Sequence, residues 1–394
     1  MLTNRSLPGT RQILPALGLA FTMSAAHATN GTMLTGYGFE ASSMGGTSIG
    51  LAQDSLSAAN NPASMAYVGN RVDFDLVTFN GYAHGGYLSS ENNQYTHILL
   101  PIPEGGVNYQ ITPRLSLGLS IYGAGAESNY NSAIVPIPAA GVAKAYLMQV
   151  NISPTVAYKI LPNLSVGVSV IGGYEQLRLN GLVATIPGVG VAPIPSHGTS
   201  TAMGYGAGAG ILWSPTENTS IGASYYSKVR FGNLSGYDQD VLASAGGHFD
   251  EPQHYGIGIS YKPIDSLTLA FDWLHIDWSS VGAVSDPTTF GWHNQNVLRV
   301  GVKYTPNSKL DFMVGYSHAN ADADTDHLLS NFYAPALLNT SVTIGTTYHF
   351  DTMNSISAGY EHSIPKAIVG TGASAGTTIN VRYDYIRIAY AHKF

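Results

Sequence analysis

The chain has 394 residues, enough for two or three ordinary soluble domains or for one large barrel, so length alone selects neither. Charged residues are only 10% of it, against about 25% in a typical soluble protein, while glycine (45) and tyrosine (25) are abundant. A net charge of −7 argues against nucleic acid, which wants a basic surface, and the lack of cysteine removes disulfides, lipid attachment at an N-terminal cysteine and thiolate metal sites.

The first residues read as a secretory signal peptide over 1–28: Arg5 and Arg11, an apolar stretch from Ile13 to Met23, then Ala26-His27-Ala28, which would leave Thr29 as the first mature residue. A membrane anchor is the alternative, but the apolar run is too short to span. No later stretch reaches eighteen consecutive apolar residues, which excludes a helical membrane protein and leaves a barrel.

Residues 29–70 read as a plug. From Glu40 to Tyr67 the sequence is dense in glycine, alanine and serine, and Met44, Ile49, Leu51, Leu56 and Met65 are too scattered to build a core alone. Such a segment needs walls around it.

The walls follow over 71–394 as fourteen runs of alternating apolar and polar residues: 71–84, 96–111, 115–130, 146–160, 164–179, 201–213, 219–235, 253–262, 266–279, 294–304, 308–318, 340–350, 354–363 and 379–394. Their connections alternate between short and long, as periplasmic turns and outer loops do in outer-membrane barrels. The expected fold is therefore all-β, a fourteen-stranded antiparallel transmembrane β-barrel plugged by a small N-terminal hatch.

Facing follows from the period of two. Tyr255, Ile257, Ile259 and Tyr261 form one outward row, with Gly256, Gly258, Ser260 and Lys262 inward. Leu164, Val166, Val168 and Val170 form a second, against Ser165, Gly167 and Ser169. Leu298, Val300, Val302 and Tyr304 form a third, against Arg299, Gly301 and Lys303. Trp213, Tyr255, Tyr261 and Trp278 suit interfacial aromatic girdles. The ninth run changes phase: after Leu267, Leu269, Phe271 and Trp273 come Leu274, Ile276 and Trp278, so either a bulge flips the register or these three line an apolar pocket inside. Two outer loops, Ala133 to Ala143 and Leu182 to Pro195, are apolar enough to capture hydrophobic molecules or to pack on each other as a lid.

Ser43-Met44-Gly45-Gly46, Asp54 and Asn61-Pro62-Ala63, placed ahead of many amphipathic strands, resemble the FadL-type outer-membrane transporters of long-chain fatty acids and other hydrophobic compounds. The resemblance implies passive uptake: capture in an outer groove, an interior pocket near the mature N-terminus, and sideways exit through a kink in the third strand. It implies that Asn61, Pro62 and Ala63 pack the hatch against that kink, for which Gly123-Ala124-Gly125-Ala126 is the natural place because glycine permits bends. Pro101 and Pro103 in the neighbouring run remove ladder donors, which favours a gap there. The terminal Phe394, after Ile386, Ile388 and Tyr390 at alternate positions, resembles the signal read by the barrel assembly machinery.

For a fatty acid, Arg178, Arg299 and Lys303 are the candidate carboxylate partners, with Leu274, Ile276 and Trp278 as apolar lining. An aromatic hydrocarbon or alkane is the alternative cargo. An enzyme could be assembled on paper from His248, Asp250, His254, Asp272, His275 and Asp277, but no G-x-S-x-G or H-E-x-x-H pattern is present. Asp322, Asp324 and Asp326 could hold a hard cation or simply form a solvated loop. The expectation is a monomeric, non-enzymatic outer-membrane channel needing no cofactor, whose partners are hydrophobic small molecules and the surrounding lipid.

Overall fold

The computed structural model describes residues 30–137, 140–186 and 190–394. The expected signal peptide and the cleavage position before Thr29 lie outside them.

Seventeen strands follow in chain order: β1 (Arg71–Gly86), β2 (Asn93–Gln110), β3 (Leu115–Asn129), β4 (Lys144–Leu161), β5 (Leu164–Asn180), β6 (Val183–Ile186), β7 (Gly190–Pro193), β8 (Thr199–Thr216), β9 (Thr219–Tyr226), β10 (Arg230–Phe231), β11 (His254–Ile264), β12 (Leu267–Ile276), β13 (Gln295–Asn307), β14 (Leu310–Ala319), β15 (Thr340–His349), β16 (Asn354–Val369) and β17 (Thr378–Lys393). Strands β6 and β7 form a hairpin in one outer loop, and β10 is a two-residue addition to the rim of β8. The other fourteen close into an antiparallel ring, with β17 paired to β1 and β8 to β9. Closure leaves no strand without two neighbours, which is what lipid demands of a β-structure.

The three alternating rows face as expected. Ile257 and Val170, for example, are 57% and 65% exposed on the lipid side, while Gly258 and Ser169 are buried. Lys262 departs from its row and lies exposed near a periplasmic turn. The seventh run is shorter than its sequence suggests: β9 stops at Tyr226, and residues 227–253 turn over the lumen, where Phe231 fills the space above Gly173 and Gly204.

No bulge divides the ninth run. Strand β12 keeps one register with both neighbours from Leu269 to Ile276, so Leu274 and Ile276 continue the inward row of Ala270 and Asp272. Trp278 is fully buried and donates its Nε1 hydrogen to Gln295 Oε1 at 3.1 Å, so it belongs to the interior and not to a girdle.

The hatch occupies the lumen. It contains α1 (Phe39–Ser43) and two 3₁₀ turns, Ser57–Ala59 and Pro62–Ala66. Its sequence is small because its backbone touches the wall directly: a Cβ at Gly167 would strike Pro62, at Gly210 Asn61, at Gly222 Ile49, at Gly301 Met44, at Gly315 Gly45 and at Gly345 Ser43. Gly45 and Gly46 have φ of +69° and +89°, and Cβ atoms there would meet the backbone of Tyr316 and of Thr35, so both glycines are required.

Above the hatch, residues 320–339 fold inward as a lid. They carry α3 (Leu328–Asn331), which follows α2 (Gly282–Ser285) of the preceding long loop. Phe332, Tyr333, Leu337 and Leu338 are buried against Phe79, Ile98, Tyr130 and Tyr383 of the walls and loops, and that apolar cluster continues down to Leu34, Tyr37 and Leu56 of the hatch. The lumen on this side is an apolar column from lid to hatch.

Candidate functional site

The wall is interrupted beside this column. Strand β2 pairs with β1 along its length and β3 pairs with β4 from Leu115 to Asn129, yet β2 and β3 meet only where Gly105–Gln110 faces Ser116–Ile121. Pro101 and Pro103 have no N–H to donate, which makes pairing above Gly105 poor from the start. At the top the strands are rejoined by side chains: the Asn129 amide donates to Thr96 Oγ1 at 2.9 Å, and Ser132 Oγ donates to Gln94 Oε1 at 2.8 Å. Between these limits lies a window in the ladder.

Gly123 and Gly125 stand at its edge. Gly125 has φ +155°, a conformation that disfavours a side chain, and its N–H donates to the carbonyl of Thr32 at 3.0 Å. The first described residues of the hatch thus satisfy a β3 donor that β2 does not reach. Behind the window is a cavity of about 10 Å³ lined by Phe79, Thr96, Ile98, Glu127, Tyr383 and Pro335 of the lid.

Asn61, Pro62 and Ala63 do not touch this edge, contrary to expectation. Asn61 Nδ2 donates to the carbonyls of Ile49 (2.7 Å) and Ile211 (3.1 Å), its Oδ1 accepts from the Ala63 amide (3.0 Å), and Pro62 lies on Gly167 and Gly210. The motif therefore docks on β5 and β8. The reason is local: asparagine caps the turn that Pro62 opens, and only the glycine notches of β5 and β8 let that turn approach.

Wall carboxylates complete the attachment. Asp272 accepts from the amides of Ser48 (2.7 Å) and Ile49 (2.9 Å), Asp73 from Ser55 (2.9 Å) and Glu104 from Gly38 (3.3 Å). Arg387 binds Asp75 at 3.0 Å and Glu104 at 3.4 Å across the β17–β1–β2 seam. These ties were hidden in the sequence, where their only trace is an acid in an inward row.

A second interior cavity, of about 20 Å³, lies against the hatch. Met33, Leu34, Tyr37, Ile49 and Leu274 give it apolar walls, and Asn60, His254 and Arg299 give it polar ones. Arg299 is 5% exposed; its NH1 donates to the Gly46 carbonyl at 3.2 Å and its Nε has no partner. Lys303 is already paired, with Glu40 of the hatch at 2.8 Å and with Asp311 at 3.4 Å. Arg178 is exposed on the outward row of β5, because Glu175 and Leu177 hold the inward phase there, so the lumenal placement expected for it is corrected. Ile276 and Trp278 lie in the buried cluster above the cavity, with Trp278 edge-on to Trp292 at 4.9 Å.

The residues considered for an enzyme are scattered over both faces of the wall. His254 stacks on Tyr226 inside, at 4.8 Å, while His275 is outside near Tyr255; Asp272 holds the hatch, and Asp277 accepts from Gln253 at 2.7 Å. His248 contacts the Phe231 carbonyl at 2.9 Å and Asp250 accepts from the Phe231 amide at 3.0 Å, so both brace a loop. Asp322 is buried away from exposed Asp324 and Asp326, and among the described residues no cluster of three or more His, Asp or Glu side chains is arranged to hold a metal. The apolar outer loops pack partly on the lid: Ile134 is fully buried, and Val135, Leu182 and Val183 rest on the same cluster.

A family model described as outer membrane protein transport protein (OMPP1/FadL/TodX) matches residues 16–392. The chain belongs to this family. Membership makes it a transport protein of the outer membrane of a Gram-negative bacterium. It resembles the P. putida toluene transporter TodX with a TM-score of 0.73 at 18% identity, over 92% of this chain and 99% of that one. A Pseudomonas aeruginosa FadL homologue matches with a TM-score of 0.68 at 16% identity, over 94% and 100% of the two chains. The Ralstonia pickettii toluene transporter TbuX matches at 0.65 and 19% identity, over 91% and 99%. At these identities the likeness carries the fold. In sequence, the chain is 21% identical over 187 residues to a 47 kDa outer membrane protein of Pasteurella multocida (strain Pm70), which is 40% of this chain and 43% of that relative's length.

Proposed function

We propose that the protein takes up hydrophobic molecules passively and releases them sideways into the outer leaflet through the window between β2 and β3. The observation that carries this is the broken ladder itself, because an unpaired strand edge facing lipid is a standing expense that a merely structural barrel would avoid. Three features support it. The hatch fills the barrel axis, the lumen beside the window is apolar, and the donor at the window edge is held by a hatch residue able to let go. The present cavities have about the size of a water molecule, so cargo requires the lid and the N-terminal residues to move.

For cargo we favour long-chain fatty acids, with Arg299 as partner of the carboxylate, since its Nε is buried without an acceptor and it lines the hatch cavity. Monoaromatic hydrocarbons are the second reading, favoured by similarity to two proteins named as toluene transporters. Competition between oleate and toluene on the purified mature protein separates them: preference for oleate, lost in Arg299→Ala, supports the first, and preference for toluene unaffected by that change supports the second. The protein acts as a monomer, and Phe394, 51% exposed beside Tyr109, is presented to the assembly machinery. Exit through the window is tested by uptake in Gly123→Val and Gly125→Val; normal uptake in folded variants would place the exit elsewhere.

A further inference from the structure

The inner wall beside the window carries a polar cluster that holds neither hatch nor lid. Gln149 and Asn151 of β4 and Glu175 of β5 point inward and are 1%, 2% and 0% exposed. Gln149 Nε2 donates to Glu175 Oε2 at 2.8 Å and to the Phe249 carbonyl at 3.0 Å. Asn151 Nδ2 donates to both oxygens of Glu251, at 3.0 and 2.8 Å. Both amide nitrogens are then committed. Left over are Gln149 Oε1, Asn151 Oδ1 and Glu175 Oε1, three buried acceptors without a partner.

Nearly every buried acceptor in a folded protein has a donor, so this cluster is short of donors. For two of the three the wall supplies none, since Ala124 lies across from Gln149 and Ala202 across from Glu175; across from Asn151 lies the buried Tyr122. Lys228, on the loop that brings in Phe249 and Glu251, is occupied by the Ser280 carbonyl and by Asp250 at 3.7 Å. Ala124 belongs to the Gly123–Ala126 run at the window, so the cluster lies one strand away from the exit. Directly above it, Leu147 and Leu177 face each other on the same inner surface.

We propose that these oxygens form a head-group site for a cargo that donates a hydrogen bond, namely a hydroxyl, an ammonium or an un-ionised carboxylic acid carried on an apolar body. The proposal rests on the reading that cargo crosses the lumen toward the window, and it narrows the class that does so. A donor head meets three bare acceptors while its body lies on Leu147 and Leu177. An ionised carboxylate brings no donor to these oxygens, and on the reading above its place is at Arg299.

p-Cresol and p-xylene have nearly one shape and differ by a hydroxyl in place of a methyl. Their binding to the mature protein in detergent, measured by competition, is expected to favour p-cresol by about tenfold or more, although p-cresol is the better hydrated of the two. In Gln149→Leu/Glu175→Leu, and separately in Asn151→Leu, the preference should vanish while p-xylene affinity changes less than about twofold. Heat-modifiable migration on gels checks that each variant is folded, and two independent variants guard against loss of one. Equal binding of the two compounds to the wild type, or binding of p-xylene alone, would assign the oxygens to trapped water and overturn this site while leaving the transport reading intact. A preference for p-cresol that survives both variants would place its donor elsewhere. Binding of neither compound would overturn this site, and the binding of oleate then decides the transport reading separately.

Discussion

The amide of Gly125 in the third strand donates to the carbonyl of Thr32 in the hatch, at 3.0 Å, at the level where the second strand has left the ladder. One hydrogen bond therefore joins the first described residues of the chain to the edge of the only long interruption in its wall among the described residues. Gly125→Val places a side chain on a backbone with φ of +155°, which disfavours the conformation that makes this bond. Uptake of labelled cargo by cells should fall at least severalfold while the barrel stays heat-modifiable. Unchanged uptake would show that the bond is incidental.

Asp272 is the strongest single tie of the hatch, and its loss should loosen the plug without unfolding the wall. Asp272→Ala leaves the amides of Ser48 and Ile49 unpaired and takes a counter-charge from Arg299, a penalty of about 3–5 kcal/mol borne by the hatch. In planar bilayers the variant should show ion-conducting openings that the wild type lacks. A silent variant would mean that the glycine contacts hold the hatch unaided.

The lid is fastened by hydroxyls. Tyr130 donates to the Phe332 carbonyl, Tyr383 to the Pro335 carbonyl and Ser128 to the Tyr333 carbonyl. Replacing both tyrosines by phenylalanine keeps the apolar packing and removes two bonds, weakening closure by about 1–3 kcal/mol. Hydrogen exchange over residues 320–339 should quicken by roughly one to two orders of magnitude, with exchange in β4 and β5 unaltered.

The lid should also respond to pH. Burial pushes the Asp322 carboxyl up to about 7, with Lys366 pulling the other way, from an ordinary value of 3.8. The raised value means that the closed lid prefers the neutral acid. Its contribution to closure is full below about pH 4 and is lost as pH rises through about 7. Protection of the lid amides, with the intrinsic rise of exchange with pH divided out, should therefore be lower at pH 8 than at pH 5, and Asp322→Asn should remove the difference. A wild-type lid indifferent to pH over this interval would refute the assignment.

The wall was legible because lipid leaves a strand one rule to obey, alternation, and the fourteen runs obeyed it to within a few residues at most ends. The exception, β9, ends early because Phe231 and its loop find a better place above Gly173 and Gly204, which no period of two records. The apolar residues Leu274 and Ile276 could be placed only with the register in hand, since a strand reads alike whether its phase changes by a bulge or its lumen turns apolar. Charge was the least legible. Arg299 and Lys303 share one inward row in sequence, yet one lines a cavity and the other is neutralised by Glu40, while Arg178, whose phase the sequence left less certain, faces outward. The hatch partners of Arg299 and Lys303, Gly46 and Glu40, lie more than two hundred residues away, and neither composition nor spacing carries that information.

The glycine notches have a mechanical meaning. Residues 43–62 are gripped from β5, β8, β9, β13, β14 and β15 by contacts too close to slide, so this part of the hatch cannot swing or be expelled as a unit. Compliance is left to the stretch before Gly38, which touches the Trp278–Trp292 pair at Gly31 and the third strand at Thr32. Any passage must then be narrow, one-sided and brief, a slit that opens along a peeling ribbon. Such a slit admits one greasy molecule at a time and gives salts and nutrients in water no continuous bore to follow.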